Sequence, residues 1–300
     1  MTRLQIEHTT EYRYTRPVAF GQHRLVLRPR EGHDVNVTAM QLTIEPRHRL
    51  RWARDVFGNS VAFVDFLEPA AVLRIASQVE ISRELPFPHD PPLAAARIPF
   101  PAVYDPLEST VVAAYQNPSY PEEVPTVREW VQEQLGSLDD LDCQQLLTRL
   151  GAAVHEHVRY LRRMEKGVQS PAQTIEAASG SCRDKTTLMM DAARSLGLAA
   201  RFASGYLDCP ASEAGRAAMH AWIEVYVPAL GWWGFDPTIN EPTSLKHVVA
   251  GVSNHPRGVM PVSGSFHGTR QDFLGMEATV EISRRNQPPS DSNGVSSQRT

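Results

Sequence analysis

The stretch Ser179–Gly197, SGSCRDKTTLMMDAARSLG, constrains the fold of this chain more than any other segment. It predicts a tight turn, bent or closely packed at Gly180, that places Cys182 in the first turn of an amphipathic helix. Gly197 stands where a glycine commonly ends a helix, and Asp184 is predicted to hold the turn by accepting backbone N–H groups. A thiolate at a helix start is stabilised by unpaired N–H groups and the helix dipole. The stretch therefore favours a reactive cysteine, the alternative being a buried, inert one.

Two later strand patterns strengthen the interpretation as a reactive cysteine. Met219–Val227 carries His220 near its start, and Trp232–Thr238 carries Asp236 near its end. Because both are rich in β-branched and aromatic residues and a turn separates them, they predict a hairpin that brings the two side chains together. A thiol acyl-transfer enzyme needs a thiolate, an imidazole that moves the proton and a group that orients the imidazole. The structural alternatives are a core histidine and an aspartate that caps a turn before Pro237.

Three short motifs then occur in a fixed order along the chain. They are GSCRD at 180–184, HAWIEVY at 220–226 and GWWGFDPT at 231–238. With these motifs the chain resembles the transglutaminase-like, papain-related cysteine superfamily, and especially its bacterial branch with an extra N-terminal β domain, over roughly residues 1–282. The resemblance implies that Cys182 is the nucleophile, His220 the base and Asp236 the orienting acid. It also implies an α+β core in which the cysteine helix packs on an antiparallel sheet.

The surroundings of the nucleophile are less specified by the sequence. Its own backbone N–H is a candidate oxyanion donor, and a second donor is needed. Tyr160 is favoured for this role over Gln169 and Gln173, and each of the three has an alternative packing or surface role. Trp222 is a candidate wall of a substrate groove, or else a core residue. Lys185 departs from the pattern of the branch, in which an aromatic residue usually follows the CRD triplet.

The chain divides into four predicted regions. Strand-like runs separated by turn signals predict an N-terminal antiparallel β-sandwich over residues 1–83. Dense prolines interspersed with aromatic residues predict an ordered connection over 84–125. The catalytic core is predicted over 126–283, and the polar segment 284–300 is predicted to be disordered.

Several local structures are predicted within the core. The helix starts are a capping box at Thr126–Glu129 and Ser170 ahead of a proline, and a further helix is predicted over Leu141–Val158. Leu245–Ala250 is predicted as a short helix, and Ala278–Ser283 as a final strand.

Composition and cysteine usage limit the class of protein. Cys143, Cys182 and Cys209 do not suggest a disulfide framework and fit a reducing compartment. Cys143 is predicted to be structural, and Cys209 lies in a polar loop and serves as a comparison for reactivity. A net charge of −4 without a basic block argues against nucleic-acid binding. Without an apolar run of the ~20 residues that a membrane helix needs, or an apolar leader, we expect a cytoplasmic protein without a membrane partner; the oligomeric state stays open.

The predicted function is thiol-dependent acyl transfer on amide or isopeptide bonds of a protein or peptide substrate. If water resolves the acyl-enzyme, the protein is a protease or amidase; if an amine does, it is a protein-glutamine transamidase. Hydrolysis is favoured because no amine-binding feature is evident. No cofactor or metal is expected: a metal site made of Cys182, His220 and Asp236 is disfavoured, and no calcium-loop pattern occurs. The other alternative is a binding or scaffold module that keeps the fold with little or no activity.

Overall fold

The computed structural model describes residues 2–83, 97–163, 167–208 and 219–285. The α-helices within these residues are α1 (Ser109–Gln116), α2 (Val124–Leu135), α3 (Cys143–His157), α4 (Pro171–Ala177) and α5 (Cys182–Ser195). The strands are β1 (Thr2–Phe20), β2 (His23–Leu25), β3 (Val35–Glu45), β4 (His48–Arg54), β5 (Ser60–Phe66), β6 (Ala70–Arg83), β7 (Arg159–Tyr160), β8 (Ser179–Gly180), β9 (Ala199–Leu207), β10 (His220–Val227), β11 (Gly231–Asp236), β12 (Glu241–Pro242), β13 (His247–Ser253), β14 (Val262–Ser263), β15 (Phe266–His267) and β16 (Phe273–Arg285). None of the helices in the described ranges is long and apolar enough to cross a membrane.

The N-terminal region is built from two antiparallel sheets. In the first sheet, β1 pairs with β6 on one side and with β16 on the other, and β3 continues the sheet beyond β6. The second sheet has the strand order β14-β2-β5-β4. Apolar residues from both sheets form one cluster, for example Phe20 and Leu73 from the first sheet with Leu25 and Val64 from the second. This packing confirms the predicted antiparallel β-rich N-terminal region.

The last described strand, β16, pairs with β1 rather than with the core sheet. The pairing extends from Arg3 opposite Arg285 to Tyr14 opposite Phe273. The prediction of a strand at Ala278–Ser283 is therefore right, but this strand lies in the N-terminal sheet and not in the predicted core region 126–283. The pairing joins opposite ends of the chain, and such a distant partner leaves no local signal in the sequence. The domain boundaries themselves stay predictions.

The core places the cysteine helix on an antiparallel sheet. The sheet has the order β12-β11-β10-β9-β13, and α5 packs against β9 and β10 while α2, α3 and α4 surround it. Leu188 and Met189 of α5 share an apolar cluster with Phe202 of β9 and with Ile223 and Val225 of β10. The predicted α+β core is confirmed, and α5 is buried over most of its length.

Two local predictions in the core are wrong. Leu245–Ala250 is not a helix, because most of it belongs to β13, where β-branched residues pair with β9. The capping box at Thr126–Glu129 does not form either. A 3-10 turn over Pro121–Glu123 leads directly into α2, and a proline occupies the first turn of that helix, so Thr126 lies inside it. By contrast, α4 starts where predicted, with the side chain of Ser170 accepting from Gln173 N.

The N-terminal sandwich and the core meet along β13. Ile6 and Ile81 of the first sheet share an apolar cluster with Tyr206 of β9 and with Val248 of β13. Asn59, which is fully buried, donates to the carbonyl oxygen of Val252 over 2.8 Å and accepts from its N–H over 2.9 Å. Contacts from the N-terminal sandwich therefore hold β13, the strand that begins with His247.

The predicted connection over 84–125 is described from residue 97 onward, and its first part lies outside the described residues. Tyr115 of α1 contacts the ring of Phe57 in the N-terminal region and the ring of Trp232 in the core, at centroid distances of 6.5 and 4.9 Å. This part of the connection therefore packs along both regions. The predicted disordered tail and the loop that carries Cys209 also lie outside the described residues, apart from their first positions.

Candidate active site

Cys182 is the first residue of α5 and is 8% exposed. The turn before it is held by Asp184, whose Oδ2 accepts from the N–H and the hydroxyl of Ser181, both over 2.8 Å. Its Oδ1 accepts from Gln169 N over 2.7 Å and from Arg163 Nη1 over 3.0 Å. Asp184 thus holds the turn as predicted. Because a first-turn N–H has no partner inside its own helix, the Cys182 backbone keeps a free donor beside the thiol.

The turn is too tightly packed for any residue but glycine at position 180. A Cβ at Gly180 would lie 2.8 Å from the Cβ of Asp184 and 2.9 Å from Oε1 of Gln169. On its other side, the carbonyl oxygen of Gly180 accepts from Leu161 N over 2.8 Å, beside the parallel pair β7–β8. The predicted close approach at this glycine is confirmed, and it fixes the direction in which α5 leaves the turn.

The structure brings His220 and Asp236 together with Cys182. His220 is the first residue of β10 and Asp236 the last of the neighbouring β11, so the predicted hairpin brings the two side chains together at one end of the strand pair. Nε2 of His220 lies 2.6 Å from Oδ2 of Asp236. Because Nε2 is engaged by the carboxylate, Nδ1 is the ring nitrogen that remains for the hydrogen bond between His220 and the Cys182 side chain.

These contacts determine the charges in the site. Burial disfavours the charged form of His220, but the charges of Asp236 and Cys182 and hydrogen bonds to both outweigh it, so the pKa of His220 is raised well above its usual value. Burial also opposes ionisation of Asp236. Contacts with His220 and His247 nonetheless hold the pKa of this carboxyl well below its usual range. Both directions favour an imidazolium beside a carboxylate, and an imidazolium next to a sulfur stabilises the thiolate.

A second histidine contacts the same carboxylate, and the sequence reasoning missed it. Nε2 of His247 lies 3.2 Å from Oδ2 of Asp236. Its Nδ1 accepts from Ser244 N over 3.1 Å, so the proton of the neutral ring is on Nε2 and is donated to Asp236. The sequence offers one signal for this residue, which is a histidine directly before the apolar run VVAGV.

Trp222 lies beneath the two histidines instead of lining a groove. It is 1% exposed, its ring stacks near His220 at a centroid distance of 6.5 Å, and it meets His247 edge-on at 5.0 Å. The tip of its indole would lie only 2.7 Å from a Cβ at position 205, so Gly205 leaves the room that the ring needs. The expectation that Trp222 contacts substrate does not fit this burial. Its neighbours make it a support for the histidine rings.

The three candidates for an oxyanion donor occupy different places. Tyr160 lies on β7, is 38% exposed and is close enough to Cys182 that the cysteine adds to the rise in its pKa that burial causes. Gln169 has its side-chain oxygen beside Gly180, next to the cysteine turn. Gln173 is used elsewhere, because its Oε1 accepts from Ser170 N over 3.0 Å at the start of α4.

Lys185 is buried one turn into α5, with 1% of its surface exposed. Burial lowers its pKa to about 8, against the opposing attraction of Asp236. Its Nζ donates to the carbonyl oxygen of His155 over 3.3 Å. In the bacterial branch that the sequence resembles, an aromatic residue usually stands here. In this chain, position 185 carries an aliphatic stem with a cation at its tip.

The remaining cysteine that the structure describes is not part of this site. Cys143 is buried, its Sγ donates to the carbonyl oxygen of Pro99 over 3.3 Å, and burial raises the pKa of the thiol to about 11. Cys209 lies outside the described residues. Over the described ranges, no group of three or more His, Cys, Asp or Glu side chains is arranged to hold a metal ion.

Comparisons with known proteins agree with this architecture. Residues 4–82 match the family model of the bacterial transglutaminase-like N-terminal region, and residues 114–237 match that of the transglutaminase-like superfamily. An uncharacterized protein of Mycobacterium tuberculosis is 29% identical over 93% of this chain and 92% of its own length, and one of Mycobacterium leprae is 22% identical over 95% and 99%.

Among solved structures, a candidate cysteine protease from Cytophaga hutchinsonii superposes with a TM-score of 0.72 at 15% identity, covering 96% of this chain and 92% of that one. At this level of identity the likeness shows a shared fold. The two family matches lead to one assignment: residues 114–237 carry a transglutaminase-like core, and residues 4–82 carry the bacterial transglutaminase-like N-terminal region ahead of it.

Proposed function

We propose that the protein catalyses thiol-dependent acyl transfer at Cys182, cleaving amide or isopeptide bonds of protein or peptide substrates by hydrolysis. The observation that carries the proposal is the hydrogen-bonded position of His220 between Cys182 and Asp236, with the pKa of His220 raised well above its usual value. This arrangement pairs a sulfur nucleophile with a proton donor and fixes the ring that must move the proton.

In the first half-reaction, the Cys182 sulfur attacks the substrate carbonyl carbon, and the C=O electron pair moves onto oxygen. The backbone N–H of Cys182, free at the start of α5, is placed to donate to this oxyanion, with Tyr160 or Gln169 as the second donor. As the C–N bond breaks, His220 gives the proton on Nδ1 to the leaving nitrogen. The products are an amine and a thioester on Cys182.

In the second half-reaction, His220 is neutral and accepts a proton from water as the water oxygen attacks the thioester carbon. The C–S bond then breaks, the carboxylic acid leaves, and the thiolate–imidazolium pair is restored. Asp236 keeps Nε2 of the ring as the protonated nitrogen throughout, so Nδ1 is the nitrogen that exchanges the proton in both steps.

Charges near the nucleophile favour water over a lysine side chain as the acyl acceptor. The positive charges of Arg162 and Arg183 act on Tyr160 and oppose the rise in its pKa, so both guanidinium groups lie near the tyrosine that neighbours Cys182. A protonated amine is repelled by such a surrounding. Transamidation is the second candidate function, and the same acyl-enzyme would serve it.

The first test is the rate at which iodoacetamide alkylates each cysteine between about pH 5 and 9, followed by mass spectrometry. Near pH 6 we expect Cys182 to react at least about tenfold faster than Cys143. We expect His220→Ala to remove the difference, and His33→Ala, a change at an exposed histidine, to leave it intact. A Cys182 that is inert, or that follows the curve of an ordinary thiol, contradicts the enzyme proposal and favours a binding or scaffold module.

The second test separates the two acyl acceptors. Casein is incubated with the protein in water labelled with oxygen-18, with and without a fluorescent primary amine. Hydrolysis places the oxygen label in a new carboxylate, whereas transamidation attaches the fluorophore. We expect the oxygen label to dominate, with Cys182→Ser as the inactive control. Fluorophore attachment in excess of label would establish the transamidase alternative.

A further inference from the structure

His247 lies on a different strand from the residues that form the Cys182 site, yet its ring contacts the carboxylate of that site. Oδ2 of Asp236 accepts from Nε2 of both His220 and His247, at 2.6 and 3.2 Å, and Oδ1 accepts from Thr238 N over 2.8 Å. All three donors are buried, and the carboxylate itself is fully buried. Without His247, one of the three donors that fix the plane of the carboxylate is lost.

The ring of His247 is itself held from several directions. Its Nδ1 accepts from Ser244 N over 3.1 Å, which fixes the tautomer that donates to Asp236. The edge of Trp222 packs against it. Gly205 leaves the space for the indole, because a Cβ there would clash with both Trp222 and the backbone of Val248.

The N-terminal sandwich contributes to this support through Arg83. Arg83 is the last residue of β6, is buried, and donates to the carbonyl oxygens of Leu245 and His247. These carbonyls belong to the segment that enters β13 and carries the histidine. A chain of contacts therefore runs from the first N-terminal sheet, through Arg83 and His247, to Asp236.

We propose that His247 is a positioning residue that holds Asp236 in the orientation His220 requires, and that Arg83 links the N-terminal sandwich to this task. The inference rests on the proposed function of Cys182, His220 and Asp236, and gives the N-terminal region a part in that site. His247 does not touch the reacting atoms; it acts through the carboxylate.

Two substitutions separate the two hydrogen bonds of the ring. In His247→Gln, the side-chain amide can place its N–H close to the former Nε2 and keep the donor to Asp236, but the acceptor for Ser244 is lost. In His247→Asn, the shorter side chain can place its oxygen close to the former Nδ1 and keep the contact with Ser244, but the donor to Asp236 is lost. The two variants are therefore matched controls for each other.

The readout is the hydrolysis of 4-nitrophenyl acetate by the full-length protein, with kcat and KM measured separately. If His247 positions Asp236, His247→Asn lowers kcat by about tenfold or more with KM nearly unchanged, and His247→Gln retains most of the activity. If the histidine only anchors the Ser244 segment, the order is reversed, with the Asn variant active and the Gln variant impaired. Equal activity in both variants and the wild type overturns the proposal as well.

A second measurement needs no variant and does not depend on Cys182 being reactive. Nitrogen-15 NMR of the histidine rings should show His247 as a neutral ring protonated on Nε2, and a low-field proton on Nε2 of His220 from its bond to Asp236. A His247 protonated on Nδ1 overturns the proposal. If both signals are present while the wild type does not turn over the ester, the proposed function fails and the positioning contact stands.

Discussion

Lys185 and His155 join α5 to the end of α3 through a single hydrogen bond, in which Nζ lies 3.3 Å from the carbonyl oxygen. His155 is in the last turn of α3, where unpaired carbonyl groups carry partial negative charge. The charge of Asp236 also favours the ammonium form. These partners compensate only part of the cost of burial, which lowers the pKa of Lys185 to about 8.

We therefore predict that Lys185→Met stabilises the protein at neutral pH. Between its folded pKa of about 8 and the usual value of 10.5, the unfolded chain binds a proton that the folded chain does not. The stability of the wild type thus rises with pH across that window. Methionine fills a similar volume without charge, so the gain should reach up to about 3 kcal/mol near pH 7 and shrink above pH 8.

The measurement is urea unfolding of the wild type and the variant between about pH 7 and 10. Lys246→Met is the matched control, because Lys246 is exposed, and it should change stability by less than about 0.5 kcal/mol at every pH. A Lys185→Met protein that is less stable than the wild type near pH 7 would mean that the His155 and Asp236 contacts outweigh the burial of the charge.

His8, in the N-terminal sheet, makes a second pH-dependent contribution to the stability of the protein. Here acid is the destabilising condition. The ring is buried beside Tyr206, and within the described residues its Nδ1 has no hydrogen-bond partner. Burial lowers the pKa of His8 to about 4, from a usual 6.5. The unfolded chain therefore binds the extra proton between these values, and the stability contribution is complete above about pH 6.5 and declines toward pH 4.

We predict that this histidine accounts for a loss of about 3 kcal/mol of stability between pH 6.5 and pH 4. In His8→Gln this part of the pH dependence should disappear, whereas His33→Gln, a change at an exposed histidine, should keep it. The comparison is made by urea unfolding at several pH values in the window. Identical pH slopes for the wild type and His8→Gln would show that the ring is not the titrating group.

Asp184 is the acceptor on which the cysteine turn depends, so Asp184→Asn should damage both stability and reactivity. The carboxylate is fully buried, and it accepts from backbone and hydroxyl groups and from the guanidinium of Arg163. An amide offers one acceptor oxygen and turns an N–H toward the other donors, so the ion pair between Asp184 and Arg163 is lost. Breaking a buried pair in this way costs about 3–5 kcal/mol.

Thermal unfolding and the alkylation rate of Cys182 near pH 6 are the two measurements for this variant. Asp208→Asn is the matched control, because it removes the ion pair with Arg284, whose side chain is largely exposed, and should cost less than about 1 kcal/mol. If Asp184→Asn kept the wild-type stability and alkylation rate, the turn would be held by the packing around Gly180 alone.

The sequence predicted the parts of the site that depend on local signals. The turn at Gly180, the helix that starts at Cys182 and the hairpin of His220 and Asp236 each lie within a short segment, and the structure brings these residues together. The sequence did not predict His247, because its contact with Asp236 requires β13 to pair with β9 and the Ser244 segment to turn back over the site.

The same limit explains the other differences. The partner of β16 and the contacts of Arg83 each join segments that are far apart along the chain. Trp222 was ambiguous for a related reason: alternation along β10 shows which residues share a face, but only the packed structure shows that this face is covered by histidine rings.

The charges near Cys182 predict which acyl acceptor is excluded. Arg162 and Arg183 both act on Tyr160 beside the thiol, and a primary alkylamine is protonated near neutral pH, since its pKa is close to that of lysine at about 10.4. Two positive charges acting on this site should lower the local concentration of such an amine, and removing one should raise it by about threefold at low salt.

We therefore predict that Arg183→Gln or Arg162→Gln raises the ratio of fluorescent amine attached to oxygen-18 incorporated in casein, by about threefold at low ionic strength. The increase should fade at high salt, because the Debye length falls to about 3 Å at 1 M. Arg128→Gln, on the exposed face of α2, is the control and should leave the ratio unchanged. A ratio that is the same in all variants, or that does not respond to salt, would show that charge near Cys182 does not choose between water and amine.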